Sequence, residues 1–159
     1  MVSVFIAMTA EQSSEFMSLA IEQAKLARGC NEVPVGAVVV SNNIVIGSGF
    51  NSVIKDNSVS SHAEIIAINA ASTKLNNYRL SECDLYVTLE PCHMCAKAIV
   101  DARIKNVYFA TKEPKNGSIV SRDRFFEKDH LNHRVSFFSG LMQEEASEIL
   151  KSFFQTLRD

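Results

Sequence analysis

Cys92 and Cys95 stand three apart behind Pro91 in "TLEPCHMCAKAIVDARI", residues 88–104. In a helix, positions i and i+3 share a face, and a helix N-terminus biases thiols toward the thiolate that binds metal. Two sulfurs are half of a tetrahedral site. Alone, the pair reads equally as a redox couple, a structural zinc knuckle or two buried helix residues. A second helical stretch, "SSHAEIIAINAASTKL" (60–75), begins beside His62-Ala63-Glu64, with Ser60 or Ser61 placed to cap it. Two helices on one face of a sheet can aim their N-termini at one spot, and His62 then adds a nitrogen to the two sulfurs. Cys30 and Cys83 stand alone, so a closed set of four protein ligands is hard to assemble. Three protein ligands with the fourth position left to water is the arrangement of catalytic zinc. Glu64 is placed to move that water's protons without binding the metal.

Taken singly, each residue has an ordinary reading. His62 would be a surface or capping residue, and Glu64 a first-turn acid complementing the helix dipole. His93, between the cysteines, turns off their shared face and is read as lying beside the ligands or facing a substrate. Jointly, H-x-E followed by P-C-x-x-C is the pattern of zinc-dependent nucleobase deaminases. In that chemistry hydroxide made at zinc attacks the ring carbon that bears an exocyclic amine. Glu64 passes a proton to a ring nitrogen and then to the departing amine, releasing ammonia. A redox pair would have no use for His62 or Glu64.

The surrounding chain must bring these helix starts together. Thr9 and Gln12 form a capping box for a helix over 10–28, with Phe16, Leu19, Ala20, Ala24 and Ala27 directed at a sheet. "VGAVVV" (35–40) and "IVIGSGFN" (44–51) read as strands of a hairpin turning at Ser41-Asn42-Asn43. "DLYVTL" (84–89), "NVYFAT" (106–111) and "HRVSFF" (133–138) read as further strands, and 142–158 as a closing amphipathic helix. Residues 112–131 are polar and read as irregular. Strands apolar on both sides need cover on both faces, which predicts a three-layer α/β/α sandwich with a mixed sheet, as one domain over 1–159. No G-x-G-x-x-G joins a strand to a helix, which disfavours a dinucleotide fold.

Composition narrows the classes. Net charge is −2, so any nucleic-acid contact rests on a local patch. The longest apolar runs are too short to span a membrane. "VSVFIAM" (2–8) lacks a basic n-region and a cleavage pattern, so no secretory leader is expected. Four cysteines without a regular framework fit a reducing compartment, the cytoplasm.

Nearly the whole chain resembles the bacterial tRNA-specific adenosine deaminases of the TadA type, within the cytidine-deaminase-like superfamily. The resemblance runs through "NEVPVGAVVV", "GFN", "HAEIIAI", "NYRL", "DLYVTLEPCHMCAKAI", "RIKNVYFAT", "LNHRV" and "SFFQTLR". "NYRL", "NHRV" and the terminal "SFF" helix point to the tRNA branch. The resemblance implies a five-stranded mixed sheet, a homodimer with its sites near the subunit interface, and one Zn2+ per subunit. It also implies conversion of the wobble adenosine of a tRNA anticodon stem-loop to inosine. His62, Cys92 and Cys95 match the zinc ligands, and Glu64 the proton shuttle. Asn51 matches an asparagine that hydrogen-bonds the flipped base, and Val35 a residue packed against it. The Ala63 N–H and the Pro91 carbonyl match groups that orient the base and its amine. Lys115 and Arg158 match cations near the RNA, and Glu113 a position that contacts the sugar.

An RNA surface is expected over 112–134, where Lys112, Lys115, Arg122, Arg124, Lys128 and Arg134 outnumber Glu113, Asp123, Glu127 and Asp129. A plain solvated loop accounts for that excess as well. The chain departs from the family pattern at Glu113, commonly aspartate, and at Val120, often glycine. "RDRFF" replaces a more apolar segment, and the sequence stops at Asp159 without the basic tail that some relatives carry. Two other readings remain open at this point: a deaminase of free guanine, cytosine or a nucleoside, and a zinc module that only supports the fold.

Overall fold

The computed structural model describes residues 9–159, so the segment read for a leader lies outside them. The order is α1 (Ala10–Gly29), β1 (Gly36–Ser41), β2 (Ile44–Phe50), α2 (Ala63–Leu75), β3 (Asp84–Leu89), α3 (His93–Asp101), β4 (Asn106–Thr111), a 3-10 turn (Phe125–Glu127), β5 (Ser136–Ser139) and α4 (Gln143–Arg158). The strands form one sheet in the order β2-β1-β3-β4-β5. β1 pairs antiparallel with both β2 and β3, whereas β3–β4 and β4–β5 are parallel. The mixed five-stranded sheet between helices is the cytidine-deaminase-like architecture that the resemblance implies.

Alternation along the strands sorts the core into two layers. Val38, Val40 and Tyr86 face α1 and Ala146 of α4, against Phe16, Met17, Ala20 and Ile21. Ala37, Val39, Leu85 and Val87 face the other way, onto Ala67, Ile68 and Ala71 of α2 and Ile99 and Val100 of α3. The expected inward face of α1 needs one correction: Leu19 is 45% exposed, and Met17 and Ile21 are buried instead. The Thr9–Gln12 capping box is present, with both reciprocal bonds formed.

The direction of β1 decides where the chemistry can be. Running against both neighbours, it makes β2 and β3 parallel to each other. α2 follows β2 and α3 follows β3, so both helices begin at the same end of the sheet and on the same face. β2 lets α2 lie close through Gly47 and Gly49, where a side chain would meet helix backbone. A Cβ at Gly49 would stand 2.8 Å from the Ala63 carbonyl and from the Ala67 nitrogen.

A Gly49→Ala substitution must lift the first turn of α2 away from β2. It should destabilise the fold by about 1–3 kcal/mol, read as a lower urea midpoint. An unchanged midpoint would mean that α2 does not bear on β2 as described.

Candidate active site

The two helix starts meet as the topology requires. His62 is the N-cap residue of α2 and Cys92 that of α3, both with extended backbone and neither making a side-chain capping bond. The expected serine cap is therefore absent: Ser58 and Ser60 bond each other through their hydroxyls, and the Ser61 carbonyl accepts from Ser52 N. The cap comes from elsewhere in the chain. Asn51, just past the end of β2, accepts a 2.9 Å hydrogen bond from the Ala63 N–H on its Oδ1. That bond leaves the Asn51 amide N–H groups as its free donors and engages the Ala63 N–H, which the resemblance would direct at a base.

His62 Nδ1 lies 3.6 Å from Cys92 Sγ and 3.5 Å from Cys95 Sγ. The three ligand atoms fall within 4.8 Å of one another, a group that could hold a metal ion. Their proton affinities show how much negative charge is crowded here. The Cys92 thiol is pushed down to about 4, first by its hydrogen bond with Cys95, against burial, and then by His62. Cys95 is driven the opposite way by donating to Cys92, by burial and by the nearby Glu64. The two thiols are thus driven in opposite directions, because a second negative charge beside the first is opposed by burial and by Glu64. Glu64 is 4% exposed, and burial pushes its carboxyl up. His62 is raised mainly by its bond with Cys92, with burial opposing.

His62, Glu64 and Cys92 line a cavity of about 590 Å³ that also has Val35, Asn51 and Glu113 among its walls. Ala63, Pro91 and Cys95 are buried behind it. The Pro91 carbonyl accepts from Ser118 N at 2.9 Å and keeps a second lone pair. Lys115 and Arg158 line an adjoining cleft rather than this cavity. His93 is on neither wall: its Nδ1 meets Asp123 at 2.8 Å, and its ring stands edge-on to Phe125, near solvent.

Two acids that the sequence reading did not single out build the walls. Glu32, 2% exposed, accepts from the Ile54 and Lys55 N–H groups and so holds the segment that follows Asn51. Glu90, also 2% exposed, accepts from the N–H groups of Glu113, Ile119, Val120 and Ser121 and from the Ser121 hydroxyl. Residues 112–131 are irregular as expected, apart from the short 3-10 turn, but they are not a plain solvated loop. They wrap a buried carboxylate, bury Ile119, Phe125 and Phe126, and bridge Gly117 to Cys92. The only sequence signal was an acid directly before Pro91. Val120 has its N–H on Glu90 and packs against the core. In "RDRFF", Arg124 pairs with Glu127. "NHRV" also works inside the fold: Arg134 donates to the Phe126 and Lys128 carbonyls, and His133 Nε2 meets the Ile104 carbonyl.

Burial pushes Glu90 up, but the Ser121 hydroxyl and the backbone N–H groups outweigh it and leave the carboxyl below its ordinary 4.5. A lowered carboxyl contributes stability above its unfolded value and loses that contribution as pH falls through its folded one. Glu90→Gln should therefore be less stable than the parent at pH 7, by about 1.5–3 kcal/mol for bonds to a charged acceptor. The gap should shrink as denaturation is measured at pH values progressively below 4.5. A gap that widens in acid would contradict the role given to the carboxylate.

The fold recurs in known proteins. The family profile of MafB19-like deaminases matches residues 11–158. The chain is 43% identical over 147 residues to the tRNA-specific adenosine deaminase of Agrobacterium fabrum, covering 92% of this chain and 97% of that one. It is 41% identical over 145 residues to the enzyme of the same name from Rickettsia bellii, covering 90% of this chain and all of that one. A solved structure from work on A-to-I editing by tRNA:A34 deaminases superposes with a TM-score of 0.84 at 44% identity, over 86% of this chain and 99% of the other. The fold, the His62–Cys92–Cys95 group with Glu64 beside it, and likeness along almost the whole length agree: the chain is an enzyme belonging to the MafB19-like deaminases and, among them, to the tRNA-specific adenosine deaminases.

Proposed function

We propose that the protein converts the wobble adenosine of a tRNA anticodon to inosine, taking up water and releasing ammonia. The observation that carries this reading is the buried Glu64 carboxyl beside His62, Cys92 and Cys95 on the wall of a base-sized cavity, in a chain similar throughout to tRNA-specific adenosine deaminases.

His62 Nδ1 and the two cysteine sulfurs would hold one zinc ion per subunit. Ligands about 2.0–2.3 Å from a tetrahedral zinc lie roughly 3.5–3.8 Å apart, and the nitrogen–sulfur separations of 3.5 and 3.6 Å fit that spacing. One imidazole nitrogen and two thiols are a donor set that suits zinc chemically. When bound, zinc supplies a water acidic enough to lose a proton near neutral pH. Glu64 then carries the protons: it accepts one from that water and delivers it to ring nitrogen N1 as the oxygen bonds to C6, then takes the second from that oxygen and gives it to the C6 amine, which departs as ammonia. Burial raises this carboxyl's hold on a proton and keeps bulk water away from the transfer.

The remaining residues hold the base. Asn51 offers amide N–H donors to acceptors on the base edge while its oxygen stays on Ala63. Val35 packs against the ring, the Pro91 carbonyl accepts from the reacting amine, and Glu113 meets the sugar. An adenosine in an anticodon loop is readily splayed out to enter such a cavity. Lys115 and Arg158 face the RNA beyond it. A tRNA substrate and thiol ligands both suit the cytoplasm, and no helix among the described residues is long and apolar enough to cross a membrane. The resemblance supports a homodimer.

Glu64→Gln should remain folded and carry about one zinc per chain, yet lose about 10²–10⁴-fold in inosine formation on an anticodon stem-loop. Metal analysis and sequencing of the product read both quantities. Parent-like activity would remove Glu64 from the mechanism, and deamination of free bases alone would remove the tRNA assignment.

A further inference from the structure

The candidate active cavity lies where the sheet splits. β1 stays with β2 to its start: Gly36 pairs with Phe50, and one residue further out the Val35 carbonyl accepts from Asn51 N at 3.1 Å. β3 stays with β4 to its end, through Leu89 opposite Thr111 and a 2.9 Å bond from Glu90 N to the Thr111 carbonyl. Between β1 and β3, however, the ladder runs from Val40 opposite Asp84 only as far as Ala37 opposite Val87. The next link across is made by a side chain: Gly36 N donates to the Thr88 hydroxyl oxygen at 3.1 Å. Beyond it the strands part, and Val35 from one half and Leu89 from the other both line the cavity. The split also sorts the site. Asn51 and Val35 belong to the β1–β2 half, and His62 and Glu64 head the helix packed on β2, whereas Pro91 and Cys92 follow β3. Thr88 is 1% exposed, and over a valine of the same shape it adds the hydroxyl alone.

Resting on the function proposed above, we infer that Thr88 is a positioning residue for the reaction: its hydroxyl takes the Gly36 N–H in place of a main-chain carbonyl and so fixes the gap across which Val35 and Asn51 face Pro91 and Cys92. A main-chain acceptor at this point would continue the ladder and bring Leu89 toward Val35 at the ordinary strand spacing of about 4.8 Å, closing the cavity between them. Without any acceptor, the buried Gly36 N–H loses its partner and the start of β1 shifts to find another. Thr88 touches neither the base nor the metal ligands. It acts through Gly36 and Val35, on where the base lies relative to the Pro91 carbonyl. A small displacement of a bound base from the reacting groups costs rate more than binding.

The test compares the zinc-loaded parent with Thr88→Val, which keeps the shape and deletes the acceptor, and with Thr88→Ser, which restores the hydroxyl. Thr88→Ala deletes the hydroxyl a second way and takes the place of the valine variant if that one does not fold. Val39→Ala, a core truncation in β1 away from the split, controls for lost stability alone. All are assayed on an anticodon stem-loop well below their unfolding midpoints, and exchange of the Gly36 amide with deuterium is followed by NMR. Thr88→Val should keep about one zinc per chain and lower kcat roughly tenfold, with KM for the stem-loop changed by less than about threefold. Its Gly36 amide should exchange roughly tenfold faster than in the parent. Thr88→Ser should bring both quantities back to within about twofold of the parent, and Val39→Ala should keep kcat. Parent-like kcat in the folded valine variant, parent-like protection of Gly36, or an equal loss of kcat in Val39→Ala overturns the assignment and leaves the deaminase function standing. A parent protein that makes no inosine in the stem-loop removes that function and Thr88's part in it together.

Discussion

β1 hydrogen-bonds antiparallel to β2 on one side and to β3 on the other, and those two strands consequently run the same way. That single pairing choice determines which helix ends can meet. Had β1 been parallel to one neighbour and antiparallel to the other, α2 and α3 would have started at opposite ends of the sheet. His62 would then be a helix length, roughly 20 Å, from Cys92. The glycines of β2 refine the same arrangement by letting α2 lie on backbone rather than on side chains. The site is thus a product of sheet topology first and of side-chain chemistry second.

The walls rest on a different device, used twice. Glu32 and Glu90 are buried acids that gather backbone N–H groups from a neighbouring loop, and each sits at the edge of the same cavity. A buried carboxylate is costly unless its lone pairs are filled, and here main-chain donors fill them. The loop amides gain in return an acceptor stronger than water. One loop carries the chain on from Asn51 and the other presents Glu113 and Lys115, so both rims are fixed to the scaffold by charge-assisted bonds.

Much of this was legible in the sequence, and the rest was hidden for identifiable reasons. Period-two and helical patterns located the strands and helices, and H-x-E with P-C-x-x-C picked out residues that the fold brings together, His62, Cys92 and Cys95 with Glu64 on the same cavity. Serine beside His62 was misread as the cap, since local capping rules cannot see that Asn51 arrives from another strand. Glu32 and Glu90 passed as ordinary charged residues because their partners are backbone amides, which carry no residue signature. The part that 112–131 plays in the fold was hidden for the same reason: its order comes from one carboxylate outside it. "NHRV" marked the right branch of proteins, although Arg134 and His133 spend their polar groups on carbonyls of the fold.

The capping bond from Asn51 to Ala63 has a bearing on how the chain folds. A helix with a serine cap can begin its first turn from neighbouring residues alone. The first turn of α2 instead takes its cap from Asn51, at the end of β2. The nitrogen at its head and the two sulfurs lie 30 and 33 residues apart, and they meet only where β1 pairs with both β2 and β3 and α3 packs beside α2. A chain ending at residue 75 would carry His62 without either sulfur of the group. The three-ligand group therefore belongs to the assembled sheet and to no single segment.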